Sequence, residues 1–341
     1  MKIVQCPLLL AVLVAALLAG THVASAEKAS SKPCKIPVIL DTDIGTDIDD
    51  TWALCLVLKS PEFDVRLITC DYPKHRGYQK TVYRAKIIAK LLEAAGRTDI
   101  PVGLGSGLKE GGGKQRQEPW VEDYRLEDYP GTVHEDGVGA MIKTIMESKE
   151  PVTIIATGPV SNLKVALERE PRIANNARYV GMQGSIYKGH GGKGEPSGEF
   201  NVACNPEALQ AVFAAPWEKT ITPLDTCSVV TLRGERYKNV RDSDDPLMRA
   251  LMENYRIWQG LEKGKIPGGS SILFDTVAVY LAATDGELCR METLPLRVAD
   301  KGRTVIDQEN GHKVTAAVEW RDLDKFKDWM AHRLLSPTVQ R

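Results

Sequence analysis

The sequence has no surplus of charge in either direction: 44 Lys and Arg stand against 45 Asp and Glu in 341 residues. A chain without a basic excess has little to neutralise a phosphate backbone, which argues against a nucleic-acid partner. Its seven cysteines form no Cys-x-x-Cys pair and no tight spacing. They read as buried thiols with one or two disulfides rather than a disulfide framework. The Walker spacing of a phosphate-binding loop is missing from its glycine-rich stretches. Internal repeats and low-complexity linkers are also missing. Beyond the first 26 residues there is no apolar run long enough to span a bilayer.

Those first residues, MKIVQCPLLLAVLVAALLAGTHVASA, combine an early Lys2, an apolar stretch and the small-x-small ending Ala24-Ser25-Ala26. This is the pattern of a secretory signal peptide, so the expectation is an exported protein, periplasmic or secreted, that starts near Glu27. Losing Lys2 takes the net charge from −1 to −2. Residues 27–35 form a polar lead-in, and residues 36–341 are long enough for one large domain.

Within that domain short β-branched runs alternate with helical patterns. IPVIL, DVRLITC, IPVGLG, VTIIATG, ARYVGMQG and KTITPLD read as strands. TWALCLVLKS, YQKTVYRAKIIAKLLEAAG, GVGAMIKTIMES, SNLKVALERE, NPEALQAVFAA and DTVAVYLAAT read as helices, with Asn205 and Pro206 as a cap and first-turn pair. This alternation predicts an α/β fold: a single-domain, open, mostly parallel sheet with helices on both faces. Ligands of such sheets sit beyond the carboxyl ends of the strands. Asp41, Asp71, Thr157, Met182 and Asp225 all fall at those ends.

The densest feature is PVILDTDIGTDIDDTWAL, residues 37–54, with Asp41, Asp43, Asp47, Asp49 and Asp50 in ten positions and no Lys or Arg among them. Helix capping explains one or two such carboxylates. Five after a buried strand call for a hard divalent cation, with Ca²⁺ favoured by an all-oxygen shell. The EF-hand spacing is not present.

VILDTDIGTDIDD resembles the D-T-D-x-G-x-D-D signature of the nucleoside hydrolase family (inosine-uridine preferring nucleoside N-ribohydrolases), two residues longer than its common form. TVHEDGVG, ATGPVSNLKVAL, YVGMQG, GEFNVACNPEALQAVF and SSILFDTVAV are similar to further elements of that family in the same order, over roughly residues 36–285. The resemblance implies a Rossmann-like core and Ca²⁺-dependent cleavage of the N-glycosidic bond of ribonucleosides, to free base and ribose, by a metal-bound water. It implies Asp43, Asp50, Asp275 and the backbone carbonyl of Thr157 as metal ligands, with the Thr157 side chain of little account. Asp43 is then also the base, and Asn201 a further catalytic residue. Asp49, Glu199 and Asn201 hold the ribose and Met182 lines its floor. Asp41 is a structural partner in the turn. Dimers or tetramers are common in the family, which implies a homo-oligomer.

The chain departs from the pattern where many relatives place a His before the last metal Asp. Phe274 stands there, suited to stacking on a base. His134 is taken as the replacement proton donor, with His190 as another. Tyr255 and Trp258, three apart, are candidates for stacking on the base. Asp71 is the candidate ribose contact after the second strand. Two other readings remain: a ribosyl-binding protein without turnover, and a haloacid-dehalogenase-type phosphatase opening on D-x-D.

Overall fold

A computed structural model describes residues 35–72, 81–107 and 115–340. The leader and nearly all of the polar lead-in lie outside the described residues. From Lys35 onward the chain forms one unit.

Ten strands among the described residues join in one sheet. They are β1 Ile36–Thr42, β2 Phe63–Cys70, β3 Val102–Gly103, β4 Val133–His134, β5 Val152–Ala156, β6 Ala177–Met182, β7 Lys219–Thr222, β8 Cys289–Ala299, β9 Arg303–Ile306 and β10 His312–Trp320. Their order is β4-β3-β2-β1-β5-β6-β7-β10-β8-β9. Every pairing from β4 to β10 along that order is parallel, and β8 lies antiparallel to both β10 and β9.

The central strands are apolar without alternation because both faces of the sheet are covered. Successive side chains of β1 leave on opposite faces. Val38 and Leu40 join one core, and Ile39 joins the other. The helix Asp49–Lys59 is buried along its whole length. It packs against the charge-free helix Thr276–Ala283 and the C-terminal helix Leu323–Leu335. No helix among the described residues is long and apolar enough to cross a membrane.

Strand order places the site. From β1 the chain moves outward through β2, β3 and β4, then returns to lay β5 on the other side of β1. The carboxyl ends of β1 and β5 therefore diverge, and a crevice opens at this reversal. Asp41–Asp50 leave β1 there and Thr157 leaves β5.

Two parts of the fold differ from the sequence reading. The alternation pattern ends at Thr284, yet β8, β9, β10 and the helix Leu323–Leu335 extend the sheet and cover it. The buried positions of β8 change phase between Cys289 and Leu296, and Pro295 stands inside it, so it carries a weak strand signal. The cysteine expectation is also revised. Cys55, Cys70, Cys204, Cys227 and Cys289 are buried free thiols, and burial holds the Cys55 and Cys70 thiols protonated.

Lys59 ends its helix fully buried and bonds the Asp245 carboxylate at 2.5 Å and the Ser336 carbonyl at 2.7 Å. This ties the C-terminal segment to the cap of the helix Pro246–Trp258. Removing one partner of a buried pair costs about 3–5 kcal/mol. Asp245 keeps a quarter of its side chain in water. Lys59→Met is therefore expected to cost about 1–3 kcal/mol in urea denaturation; an unchanged midpoint would show that this tie contributes nothing.

Candidate active site

The turn after β1 exists because Gly45 reverses the chain at φ +100, a region closed to most side chains. A buried cation holds it. Arg84, from the helix Thr81–Ala94, donates to the carbonyls of Asp43 and Ile44 and to Thr46 Oγ1. Gln117 Nε2 donates to the Asp47 carbonyl at 2.7 Å, and its own Oε1 accepts from Asn254 and Thr51. The sequence reading found neither residue. Arg84 had a signal: it stands four residues before Ile88 and seven before Leu91, on the apolar face of its helix.

Below the turn, one oxygen each of Asp49, Asp50 and Asp275 lies within 4.8 Å of the others. Two oxygens on a common Ca²⁺ at about 2.4 Å each can be at most about twice that apart, so the three fit one ion. All are buried. Burial first, then repulsion from neighbouring carboxylates, pushes each well above the usual carboxylate range. Burial also raises Asp43, against the lowering effect of Arg84. Asp43 and Asp50, and Asp49 and Asp275, stand close enough to shift one another, and carboxyls raised in this way favour protons. A divalent cation would replace those protons. The donor set is all hard oxygen, and the Arg84 contacts given above go to backbone carbonyls and a hydroxyl.

The expected ligands Asp43, Asp50 and Asp275 thus face one site, but Asp49 takes the third place in the tight triad. The Thr157 side chain is not idle: its hydroxyl donates to Asp50 Oδ1 at 2.7 Å, beside the Thr42 hydroxyl at 2.5 Å. The Thr157 carbonyl accepts from Asn201 Nδ2 at 2.9 Å.

Above the carboxylates opens a cavity of about 760 Å³. Asp43, Asp47, Asp49, Asp50, Asp275 and Thr157 line its floor. Glu199 and Asn201 line one wall. Glu199 caps the helix Phe200–Cys204 through the N–H groups of Asn201 and Val202 and also accepts from Gly184 N–H. Burial lifts it to about 7 against those three bonds. Met182, Leu224, Phe200 and Phe274 supply apolar surface, and His190 stands beside Phe274.

Other expected residues stand elsewhere. His134 lies on edge strand β4, three strands from β1 and outside the cavity lining. It cannot reach a ligand there, because three strand spacings are about 14 Å. Asp71 is fully buried and accepts from the N–H groups of Ser161 and Asn162, which makes it an anchor for the helix Ser161–Arg169. Tyr255 is core: its hydroxyl donates to the Gly269 carbonyl, and its ring packs on Trp52 and Trp258. Trp258 is half-buried outside the cavity lining, with Arg116 over its ring. Asn205 precedes its helix without a capping bond and donates instead to Ser161 Oγ. Asp41 accepts from Thr69 and Asn162 inside the turn.

The family model for the inosine-uridine preferring nucleoside hydrolases matches residues 38–328, most of the chain. The chain belongs to this family.

Relatives of this nucleoside hydrolase include the pyrimidine-specific ribonucleoside hydrolase RihA of Citrobacter koseri, 31% identical over 64% of this chain and 69% of that protein. RihA of Escherichia coli is 30% identical over 64% and 70%. Among solved structures, a plant nucleoside hydrolase aligns with a TM-score of 0.69 at 25% identity, over 89% of this chain and 100% of its own. The inosine-uridine preferring enzyme of Bacillus anthracis shares the fold at the same TM-score and 19% identity, over 88% and 99%. The chain is an N-glycosyl hydrolase of nucleosides, and the phosphatase reading is set aside.

Carboxyls raised on folding favour the folded state only while protonated. Asp41 stands at about 6 and Glu199 at about 7, against ordinary values of 3.8 and 4.5. Their contribution is complete below the ordinary values and lost as pH rises through 6 to 7. In chelator, Tm is therefore expected to fall between about pH 4 and pH 7. Saturating Ca²⁺ should cancel most of that fall, and a flat profile in chelator would contradict the account.

Proposed function

We propose that this nucleoside hydrolase is exported and Ca²⁺-dependent, and that it cleaves ribonucleosides to free base and ribose at the β1–β5 crevice. The observation that carries the reading is the buried Asp49–Asp50–Asp275 triad facing a cavity walled by Glu199 and Asn201. The pattern of residues 1–26 supports export. A Ca²⁺ held by the triad would acidify the attacking water and fix ribose hydroxyls.

The remaining steps belong to the chain's own residues. Asp43 faces the cavity beside Asp50 and takes the proton of the attacking water. Glu199 and Asn201 are locked by backbone bonds, so they grip the sugar without first losing rotamer freedom. Met182 closes the floor under the ribose. The C1′–N bond breaks through an oxocarbenium-like state, which the surrounding carboxylates stabilise. Attack by water on the face opposite the base inverts C1′.

Chromatography of base and ribose after incubation with a nucleoside panel tests this reading. Release is expected with Ca²⁺ and not with chelator. Asp43→Ala should lower the rate by at least about 10³-fold, whereas His134→Ala should keep the wild-type rate. Nucleoside bound but never cleaved would support the non-catalytic reading instead.

A further inference from the structure

A purine or pyrimidine leaves poorly as an anion. The electron pair of the broken C1′–N bond stays on the base and needs a proton. The carboxylates of the floor are drawn toward a cation and the attacking water, so they are poorly placed to supply it. Among the described residues lining the cavity, His190 is the one imidazole. Its ring lies 5.6 Å from that of Phe274, tilted by 54°. Phe274 directly precedes Asp275, so the pair stands where the floor meets the wall.

The segment carrying His190 is built rather than loose. Asp225 is buried and its carboxylate accepts three successive N–H groups, from Ile186 at 2.9 Å, Tyr187 at 2.7 Å and Lys188 at 3.1 Å. A bridge between Gly189 and Lys193 then closes the turn around His190. Gly192, at φ +66, lets the turn settle on Val229; a Cβ there would lie 2.4 Å from that side chain. The turn thus holds His190 at the cavity wall before any substrate arrives, the condition for an effective fixed donor. His190 is itself exposed, so its ring can regain a proton from solvent after each turnover.

We propose that His190 is the leaving-group acid of this nucleoside hydrolase, held by Asp225 as a positioning residue and flanked by Phe274 as a stacking surface for the base. The proposal rests on the hydrolase reading above. In the step, the C1′–N bond breaks and its electron pair passes to the base, while the His190 imidazolium proton moves to a ring nitrogen of that base. Water oxygen bonds C1′ and its proton passes to Asp43. Solvent then returns a proton to His190 and removes one from Asp43, which closes the cycle without another reactant.

The test compares natural nucleosides with p-nitrophenyl β-D-riboside, whose phenolate departs without a proton. His190→Ala is expected to lower kcat on nucleosides by about 10²- to 10⁴-fold. The ratio of nucleoside to nitrophenyl rate should fall with it by at least about 10²-fold. Asp225→Asn should shift the same ratio in the same direction by less. An equal loss on both substrates would make His190 a binding or structural residue and overturn the proposal, as would no loss on either. If the wild-type protein cleaves the nitrophenyl riboside but no nucleoside, the ribosyl-hydrolysing site stands and the leaving-group proposal falls. If it cleaves neither, both fall.

Discussion

Crowding several carboxylates into the dry end of a parallel sheet is the constraint around which this structure is arranged. Isolated buried charges are very costly, and neighbouring like charges add to the cost. Asp43, Asp49, Asp50 and Asp275 are nearly inaccessible to water at one crevice. The fold offsets that cost only in part. Hydroxyls of Thr42 and Thr157 donate to Asp50, and Arg84 brings one positive charge under the turn. The remainder is a standing preference for protons or for a cation, and it is this preference that makes the site reactive.

The surroundings of the carboxylates are correspondingly rigid. Arg84 and Gln117 fasten the aspartate turn from two distant segments. Glu199 fastens the helix that presents Asn201, and Asn201 returns a bond to the Thr157 carbonyl. Asp225 fastens the turn that presents His190. Glu199 and Asn201 are thus held by bonds to backbone, and the turns that carry the aspartates and His190 are fastened from other segments. A site of this kind orients a sugar and a water molecule at little entropic cost at the moment of reaction.

The floor and the wall of the cavity are built differently. The floor is built from strand ends and short helices fixed by the sheet. The wall beside Phe274 is built from that residue and the 186–193 turn, which the sheet order constrains far less.

Much of the fold was legible in the sequence. The apolar runs of β1 and β5, the helix after each, and the position of Asp43, Asp50, Thr157 and Asp275 at strand or helix ends all follow from local pattern and motif order. The last third was less legible, because the buried positions of β8 change phase along the strand and β10 joins the sheet beside β7, far back in the chain. The sequence by itself determined where the carboxylates cluster, since their density and spacing are local properties. Only the tertiary structure decided which of them meet. It put Asp49 in the triad, gave the turn its counter-charge in Arg84, left His134 on an edge strand and brought His190 to the cavity instead. The physical reason is that contact between segments far apart in the chain depends on strand order and on which face each helix buries, and no local pattern encodes either.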